Sequence, residues 1–107
     1  MTKKPGMRVR GSTTGRPLMV LLDVLGKRWS LRILWELRAE MLTFRDLQSR
    51  CGEISPTILN LRLKELRELR LIELSSDGFG VSDWGKKIGK QLTQLDGLAS
   101  EWARDIR

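Results

Sequence analysis

The sequence predicts one mainly α-helical domain with a small β-hairpin, and three observations lead to this fold class. Apolar residues recur at helical spacing in five segments between residues 17 and 107. Two neighbouring segments each begin with a helix-capping residue, and a glycine lies between them. A Ser-Asp-Gly turn between two short runs follows the second of these segments. At 107 residues, the chain is long enough for one ordinary domain and too short for two.

The first two helices are predicted near the start of this region. The first begins at Pro17, because proline suits the first helical position, and it ends at Gly26, a common C-terminal stop. The second covers residues 29–38 and carries its apolar residues on one side. A short extended link at Met41 and Leu42 follows it.

The next two helices have the clearest start signals. Thr43 is predicted to cap a short helix over residues 44–51, which Gly52 ends. Ser55 followed by Pro56 is a cap with proline at the first helical position, and the helix that starts there runs to about residue 70. The apolar side of that helix consists of Leu59, Leu63 and Leu66.

A hairpin and a long helix complete the predicted order. Residues 71–75 and 79–81 are predicted strands around the Ser76-Asp77-Gly78 turn. Ser82 then caps a last helix that runs to about residue 106. Its apolar stripe consists of Trp84, Ile88, Leu92, Leu95, Ala99, Trp102 and Ile106.

Two helices joined by a short glycine-containing turn describe a helix-turn-helix, and a hairpin directly after them makes it winged. The second helix of this motif enters the major groove of DNA, where polar side chains read base edges and basic ones hold phosphates. Leu61 is apolar on the exposed face, which contact with a thymine methyl group would explain. A structural hydrogen bond competes equally with a phosphate contact at Arg62. The predicted DNA-facing residues are Arg45, Arg50, Ser55, Pro56, Thr57, Asn60, Leu61, Arg62 and Lys64.

The basic residues are unevenly distributed along the chain. The net charge is +7, and residues 1–16 hold five of the 20 basic residues and none of the 13 acidic ones. We predict that this segment is a flexible basic arm and that residues 17–107 form the folded domain. The domain carries 15 basic against 13 acidic residues, so the arm accounts for most of the charge. Because such an arm attracts phosphate in general, the prediction of a DNA reader depends on the helix pair.

Several classes of chemistry lack the residues they need. The chain has no histidine and one cysteine, Cys51, which excludes a His-based triad, an intrachain disulfide and a Cys-cluster zinc site. We therefore expect no enzymatic activity, no cofactor and no metal. Cys51 is predicted to be a small apolar residue rather than a redox sensor. Glu65 and Glu68 are predicted to be solvated neighbours on a helix rather than a catalytic pair.

Three residue segments resemble the HxlR-type winged helix-turn-helix transcriptional regulators, a group related to the MarR family. They are LGKRWS at 25–30, LTFRDL at 42–47 and ISPTILNLRLKEL at 54–66. VSDWG at 81–85 is similar to the family's connection from the wing to the last helix. The resemblance covers roughly residues 17–107. It implies a DNA-binding regulator that occupies an operator, with repression the commoner mode.

The resemblance also implies a homodimer held together by the N-terminal and C-terminal helices. The two recognition helices then face successive major grooves, roughly 34 Å apart or a similar multiple. The predicted dimer contacts are Leu18, Leu21, Leu22, Leu95, Ala99, Trp102 and Ile106.

The sequence departs from the family pattern at three places. Many members carry a cysteine just before the first helix, where this chain has Gly15-Arg16-Pro17. The wing turn at 75–78 holds one acid and no base, and Leu61 stands at a usually polar position. The family cysteine is therefore missing, and an unknown small-molecule effector stays open as a further partner.

Other interpretations of the same pattern remain. Winged helices also serve as protein–protein interaction modules without specific DNA binding, and the wing, which has no basic residue, and Leu61 suit that alternative. Peripheral membrane binding through the arm is a further one. No apolar run approaches the ~20 residues that span a bilayer, and no signal peptide is recognisable. We therefore expect a cytoplasmic protein with no membrane partner.

Overall fold

The computed structural model describes residues 4–6 and 15–107, in which five helices and one hairpin follow each other. In chain order they are α1 (Pro17–Leu25), α2 (Ser30–Leu37), α3 (Phe44–Arg50), α4 (Pro56–Glu68), β1 (Ile72–Ser75), β2 (Gly78–Val81) and α5 (Asp83–Asp105). The predicted fold class, mainly α-helical with a small hairpin, is confirmed. Most of the predicted basic arm lies outside the described residues.

Side-chain caps begin the three helices with the clearest sequence signals. The hydroxyl of Thr43 accepts a hydrogen bond from the amide three residues on at 3.1 Å, and that of Ser82 does the same at 3.0 Å. Ser55 Oγ lies 3.5 Å from the corresponding amide of α4. Each hydroxyl satisfies one of the amides that the first helical turn leaves unpaired.

The helix boundaries differ from prediction where the backbone turns left-handed. α4 ends at Glu68 rather than near residue 70, because Arg70 has a φ of 59° and turns the chain toward β1. Ser82 Oγ donates to the Arg70 carbonyl at 2.5 Å and holds that turn. α2 begins at Ser30 rather than at Trp29, whose φ is 80°.

One apolar core joins the helices to the hairpin. Leu59, Leu63 and Leu66 form the buried side of α4, as their spacing predicts. Cys51 and Ile54 lie in the same core, at the two ends of the turn between α3 and α4. The turn is therefore anchored at both ends, and this fixes α4 relative to α3.

The α3–α4 turn itself depends on two consecutive left-handed residues, Gly52 and Glu53, with φ of 68° and 60°. The amide of Glu53 donates to the Gln48 carbonyl at 2.9 Å. The Gln48 side-chain amide donates to the Ile54 carbonyl, also at 2.9 Å. These bonds satisfy the Glu53 amide and the Ile54 carbonyl and restrain the conformation of the turn.

The hairpin is held by a third chain segment that the sequence does not reveal. The strands pair in register from Ile72 opposite Val81 to Ser75 opposite Gly78, which leaves a two-residue turn. Leu42 then forms an antiparallel bridge with Phe79, with hydrogen bonds of 2.9 and 2.8 Å in the two directions. The link before α3 is thus extended, as predicted, and it also pairs with β2.

α5 is the longest element, at 23 residues, and packs its N-terminal half against α2 and β2. Within the described ranges, no helix is long and apolar enough to cross a membrane. Most of the C-terminal half of α5 is exposed, so this helix extends beyond the core that it starts from.

Candidate nucleic-acid interface

The exposed side of α4 gathers the central residues of the predicted DNA-reading surface. Thr57, Asn60, Leu61 and Lys64 are all exposed, while the leucine side of the helix is buried. At about 100° per residue, these four positions lie within an arc of about 100°. We call them the reading face of α4. A helix with one buried stripe and one polar arc can lie in a groove while it stays attached to its core.

The polar groups of the reading face are available to a partner. Within residues 4–6 and 15–107, the side chains of Thr57, Asn60 and Lys64 have no hydrogen-bond or ion-pair partner in the protein. Thr57 and Asn60 can therefore offer donors and acceptors to base edges without first breaking internal bonds. Leu61 is 47% exposed in the middle of this arc, and its side chain would gain from contact with an apolar group.

The start of α4 is exposed beside the reading face. Ser55 and Pro56 are both exposed, and Ser55 caps the helix as described above. Pro56 has no N–H, and the amides of Ile58 and Leu59 donate to Ser55, so among the described residues the Thr57 amide is the one left without an acceptor in this turn. Together with the helix dipole it makes this end favourable for a phosphate. Arg45 is exposed on α3 and has no charged partner among the residues described. These features are compatible with phosphate contacts at the front of the helix pair.

Arg50 occupies a different environment from the other predicted contacts. Its guanidinium pairs with Glu40 and lies 3.9 Å from Glu36. Arg32 in turn donates to the Arg50 carbonyl at 2.7 Å. This network ties the end of α3 to α2 and its following loop, so Arg50 would have to share its charge to hold a phosphate.

Arg62 takes the structural alternative that the sequence left open. Its Nε donates to the Arg28 carbonyl at 2.8 Å, and its Nη1 pairs with Glu65 Oε1 at 2.7 Å. The side chain is 16% exposed, so its donors point into the fold rather than into solvent. A direct phosphate contact by Arg62 stays a prediction that this geometry does not favour.

The prediction for Glu65 is wrong. It was expected to be a solvated neighbour of Glu68, yet Glu65 is 7% exposed while Glu68 is exposed. The second oxygen of its carboxylate pairs with Lys27 at 2.5 Å. Spacing on a helix could not reveal this, because Lys27 lies 38 residues earlier in the chain.

The wing is short and carries acids rather than bases. Glu73 and Asp77 are exposed on the hairpin, and residues 72–81 contain no lysine or arginine. Leu74 is 49% exposed beside them. A wing of this composition offers no cation to the phosphates of a minor groove, so specific binding would depend on the helix pair.

A second exposed surface is apolar and belongs to α1 and α5. Of the predicted dimer contacts, Leu21 is half-buried against the core and the others are exposed. Trp102 is 62% exposed and Leu95 57%. Leu98, which is not part of the apolar stripe predicted for α5, is 59% exposed on the same helix. So much exposed apolar surface on two elements is typical of a protein interface.

Cys51 is part of the core rather than of any exposed site. It is 1% exposed, and burial raises the pKa of its thiol, while Arg32 acts in the opposite direction. A raised pKa favours the neutral thiol at pH 7, which is the less reactive form.

Comparison with known families identifies the class of protein that this fold and surface define. The HxlR-like helix-turn-helix model matches residues 24–106, which is most of the chain. The chain therefore belongs to the HxlR-like helix-turn-helix family, whose members are DNA-binding transcriptional regulators rather than enzymes. The family resemblance that the sequence motifs indicated is confirmed.

A solved structure supports the architecture. The crystal structure of the quinone-bound YodB from B. subtilis is similar to this chain, with a TM-score of 0.72 and 22% sequence identity. The similarity covers 78% of this chain and 94% of that one. It shows that the two chains share the winged helix-turn-helix fold. No match was found among curated proteins.

Proposed function

We propose that this chain acts as a homodimer that binds a specific operator in double-stranded DNA and represses transcription there. The observation that carries the proposal is the reading face of α4, whose polar side chains are exposed and have no hydrogen-bond or ion-pair partner among the described residues. α4 would enter the major groove, which is wide enough for a helix. Repression would follow because an occupied operator excludes the polymerase, with no chemical step.

The residues of the helix pair divide into two roles in this proposal. Thr57 and Asn60 read base edges, and Leu61 packs against a thymine methyl group. Arg45, Lys64 and the start of α4 hold phosphates, which fixes the position of the helix along the duplex but carries no sequence information. The two roles make different predictions for variants, because only loss of the first reduces discrimination between sequences.

Dimerisation would supply the second half of the operator contact. The exposed apolar residues of α1 and α5 would be covered by the same surface of a second copy. A symmetric dimer places two copies of α4 against an inverted repeat, with half-sites roughly 34 Å apart or a multiple of that distance.

The variant Thr57→Ala/Asn60→Ala tests the assigned reading face. Both truncations remove exposed groups that form no side-chain hydrogen bond within the described part of the chain, so the fold should be retained. We expect specific binding to weaken by about tenfold or more, because each good base contact contributes ~1–3 kcal/mol of discrimination. Binding to unrelated duplex should change little. A mobility-shift titration on the operator and on a scrambled duplex measures both affinities.

Thr93→Ala/Gln94→Ala is the matched control for this test. It truncates the same kinds of side chain on the exposed part of α5. We expect the control to bind the operator like the wild type. Unchanged discrimination in the Thr57/Asn60 variant would show that another surface reads the DNA.

A small-molecule effector is the further partner that we propose. The similar YodB structure is described as quinone-bound. In this chain, an apolar cavity of about 200 Å³ lies between α1, the end of α4 and the start of α5. Its lining includes Val20, Leu21, Leu71, Trp84 and Ile88. This lining fits a small apolar or aromatic molecule, and α1 and α5 are the helices that the dimer would use.

The alternative function is a protein-docking module without specific DNA binding. The acidic wing and the exposed Leu61 and Leu74 favour it, because a protein partner could cover the leucines. A chain that binds no duplex even at ~50 mM salt, where phosphate attraction is strong, would support this alternative.

A further inference from the structure

Glu65 is the one buried acid of the described chain, and its two carboxylate oxygens are held by two different cations. Oε2 pairs with Lys27 Nζ at 2.5 Å, and Oε1 pairs with Arg62 Nη1 at 2.7 Å. A buried charge is costly unless it is paired in this way. The Coulomb attraction within such a cluster adds little net stability, because the charged groups lose their contact with water. The main effect of the cluster on the fold is therefore geometric, because its hydrogen bonds have a defined direction.

The two cations connect α4 to a distant turn of the chain. Lys27 belongs to the turn between α1 and α2, 38 residues before Glu65. Arg62 lies on α4 itself, and its Nε also donates to the Arg28 carbonyl in the same turn at 2.8 Å. Two charge-assisted hydrogen bonds, the ties of α4, therefore connect one side of this helix with the turn between α1 and α2.

The turn between α1 and α2 has an unusual backbone. Trp29 has a φ of 80°, a left-handed conformation that a bulky side chain rarely adopts. Such a residue persists only where its surroundings hold it. The Arg28 guanidinium lies over the Trp29 ring at 5.4 Å from its centre, next to the carbonyl that Arg62 binds. Arg28 thus contacts the Trp29 ring through its side chain and the Arg62 side chain through its carbonyl.

The cluster lies next to the reading face. Glu65 follows Leu61 by one helical turn and lies about 40° further around the helix axis. Burial of the leucines that attach α4 to the core is favourable without a preferred direction, so it restrains small rotations of the helix less strictly than directional bonds do. Hydrogen bonds between charged groups have defined lengths and angles and oppose such movement. The bonds to Lys27 and Arg28 therefore restrain the rotation of α4, the helix on which Thr57 and Asn60 lie.

We propose that Glu65 is a positioning residue for operator recognition, which it performs through Lys27 and Arg62 without touching DNA. This inference rests on the proposed function, since it concerns how the same α4 surface reads a sequence. The cluster fixes the orientation of the reading face relative to the α1–α2 turn. It thereby links DNA recognition to α1, a helix that the dimer would use.

The variant Glu65→Gln tests this role. Glutamine keeps the shape of the side chain but cannot hold two cations. We expect operator affinity to fall by about tenfold or more, the effect of misplacing one good base contact. Affinity for a scrambled duplex should stay the same or rise, because the variant has lost a negative charge. The ratio of the two affinities is the diagnostic quantity, because a general loss of folded protein lowers both.

Glu73→Gln is the charge-matched control. Glu73 is exposed on β1, and the substitution changes the net charge by the same amount. We expect this control to keep the wild-type ratio of operator to scrambled affinity. Thermal unfolding of both variants shows whether the protein is folded at the temperature of the titration.

A double-mutant cycle with Lys27→Gln provides an independent test of the role of Glu65. The Lys27 side chain is 32% exposed, so its removal disturbs the core less than a change at Glu65. If both residues act through one cluster, the Lys27→Gln/Glu65→Gln protein loses clearly less discrimination than the two single losses combined. Should Glu65→Gln fail to fold, loss of discrimination in Lys27→Gln alone decides the question.

The outcomes distinguish failure of the proposed function from failure of the proposed role of Glu65. A wild-type chain that does not discriminate any sequence overturns the proposed function, and this inference with it. A wild type that discriminates, together with a Glu65→Gln ratio within about twofold of it, overturns the inference alone. Additive losses in the cycle also overturn it, because Lys27 and Glu65 would then act separately.

Discussion

At Gly85 the first turn of α5 passes directly against the backbone that enters the hairpin. A β-carbon at this position would lie 2.1 Å from the Leu71 carbonyl oxygen and 3.0 Å from the Val81 side chain. The same carbonyl accepts a hydrogen bond from the Ser82 amide at 3.1 Å, so it cannot easily move away. One missing side chain thus lets α5 start where the wing ends.

Gly85→Ala should lower the free energy of unfolding by about 1–3 kcal/mol, because the extra methyl group meets backbone rather than a flexible side chain. Gly97→Ala is the matched control on the same helix. Among the described residues, no heavy atom beyond its chain neighbours and the nearby backbone of its own helix lies within 4 Å of its β-carbon position. There alanine should raise stability by about 0.5–1 kcal/mol, since it is the better helix former. Denaturant unfolding measures both, and equal effects at the two sites would contradict the close contact.

The sequence revealed some residues of the site and hid others for a physical reason. Thr57 and Asn60 were predicted as exposed because helical spacing from the buried leucines decides which side faces out. Glu65 was placed wrongly because its burial depends on Lys27, which no local pattern connects with it. The bridge between Leu42 and Phe79 was missed for the same reason, as pairing between distant segments leaves no mark on spacing.

At the scale of elements, the start of a helix was easier to predict than its end. Thr43, Ser55 and Ser82 begin α3, α4 and α5 as expected, because a cap is a local contact between a side chain and the next turn. The end of α4 depends on Arg70 in a left-handed conformation. An arginine in the sequence does not signal a left-handed position, as a glycine would. The end of α4 was therefore predicted near residue 70 rather than at Glu68.

α1 and α5 carry most of the exposed large apolar side chains among the described helical residues. Leu18, Leu22, Leu95, Trp102 and Ile106 are each about half exposed or more in the single chain. The energetic cost of leaving them in water would be recovered if a second copy covered them. We infer the homodimer from this surface, and the family resemblance points the same way.

Trp102→Glu should break the dimer. It replaces a large apolar contact by a charge that the interface would bury unpaired, at a cost of about 3 kcal/mol, which weakens association by about a hundredfold. Gln94→Glu is the control, because it adds the same charge to an exposed polar position of α5. Light scattering should show a monomer for the first and a dimer for the second. A Trp102→Glu protein that stays dimeric would show that the interface lies elsewhere.

Over the whole molecule, most of the net charge lies in residues 1–16, whereas α4 is the helix proposed to read a DNA sequence. The net charge of +7 suggests a polyanionic partner, yet residues 17–107 are nearly balanced, with 15 basic and 13 acidic residues. Within the folded part, several charges are also paired with each other, as at Arg50, Arg62 and Lys27. In the proposed function the basic segment would attract phosphate in general, and recognition of a particular sequence would come from α4.

Selection from a random pool of duplexes shows whether this chain reads a DNA sequence as a symmetric dimer. The full chain is incubated with the pool at ~150 mM salt, where non-specific phosphate attraction is weakened, and the bound duplexes are amplified and sequenced. We expect an enriched inverted repeat whose half-site centres are about 10 base pairs or a multiple apart. A pool that stays unenriched, although the protein is folded, would show that the chain does not read DNA in this way.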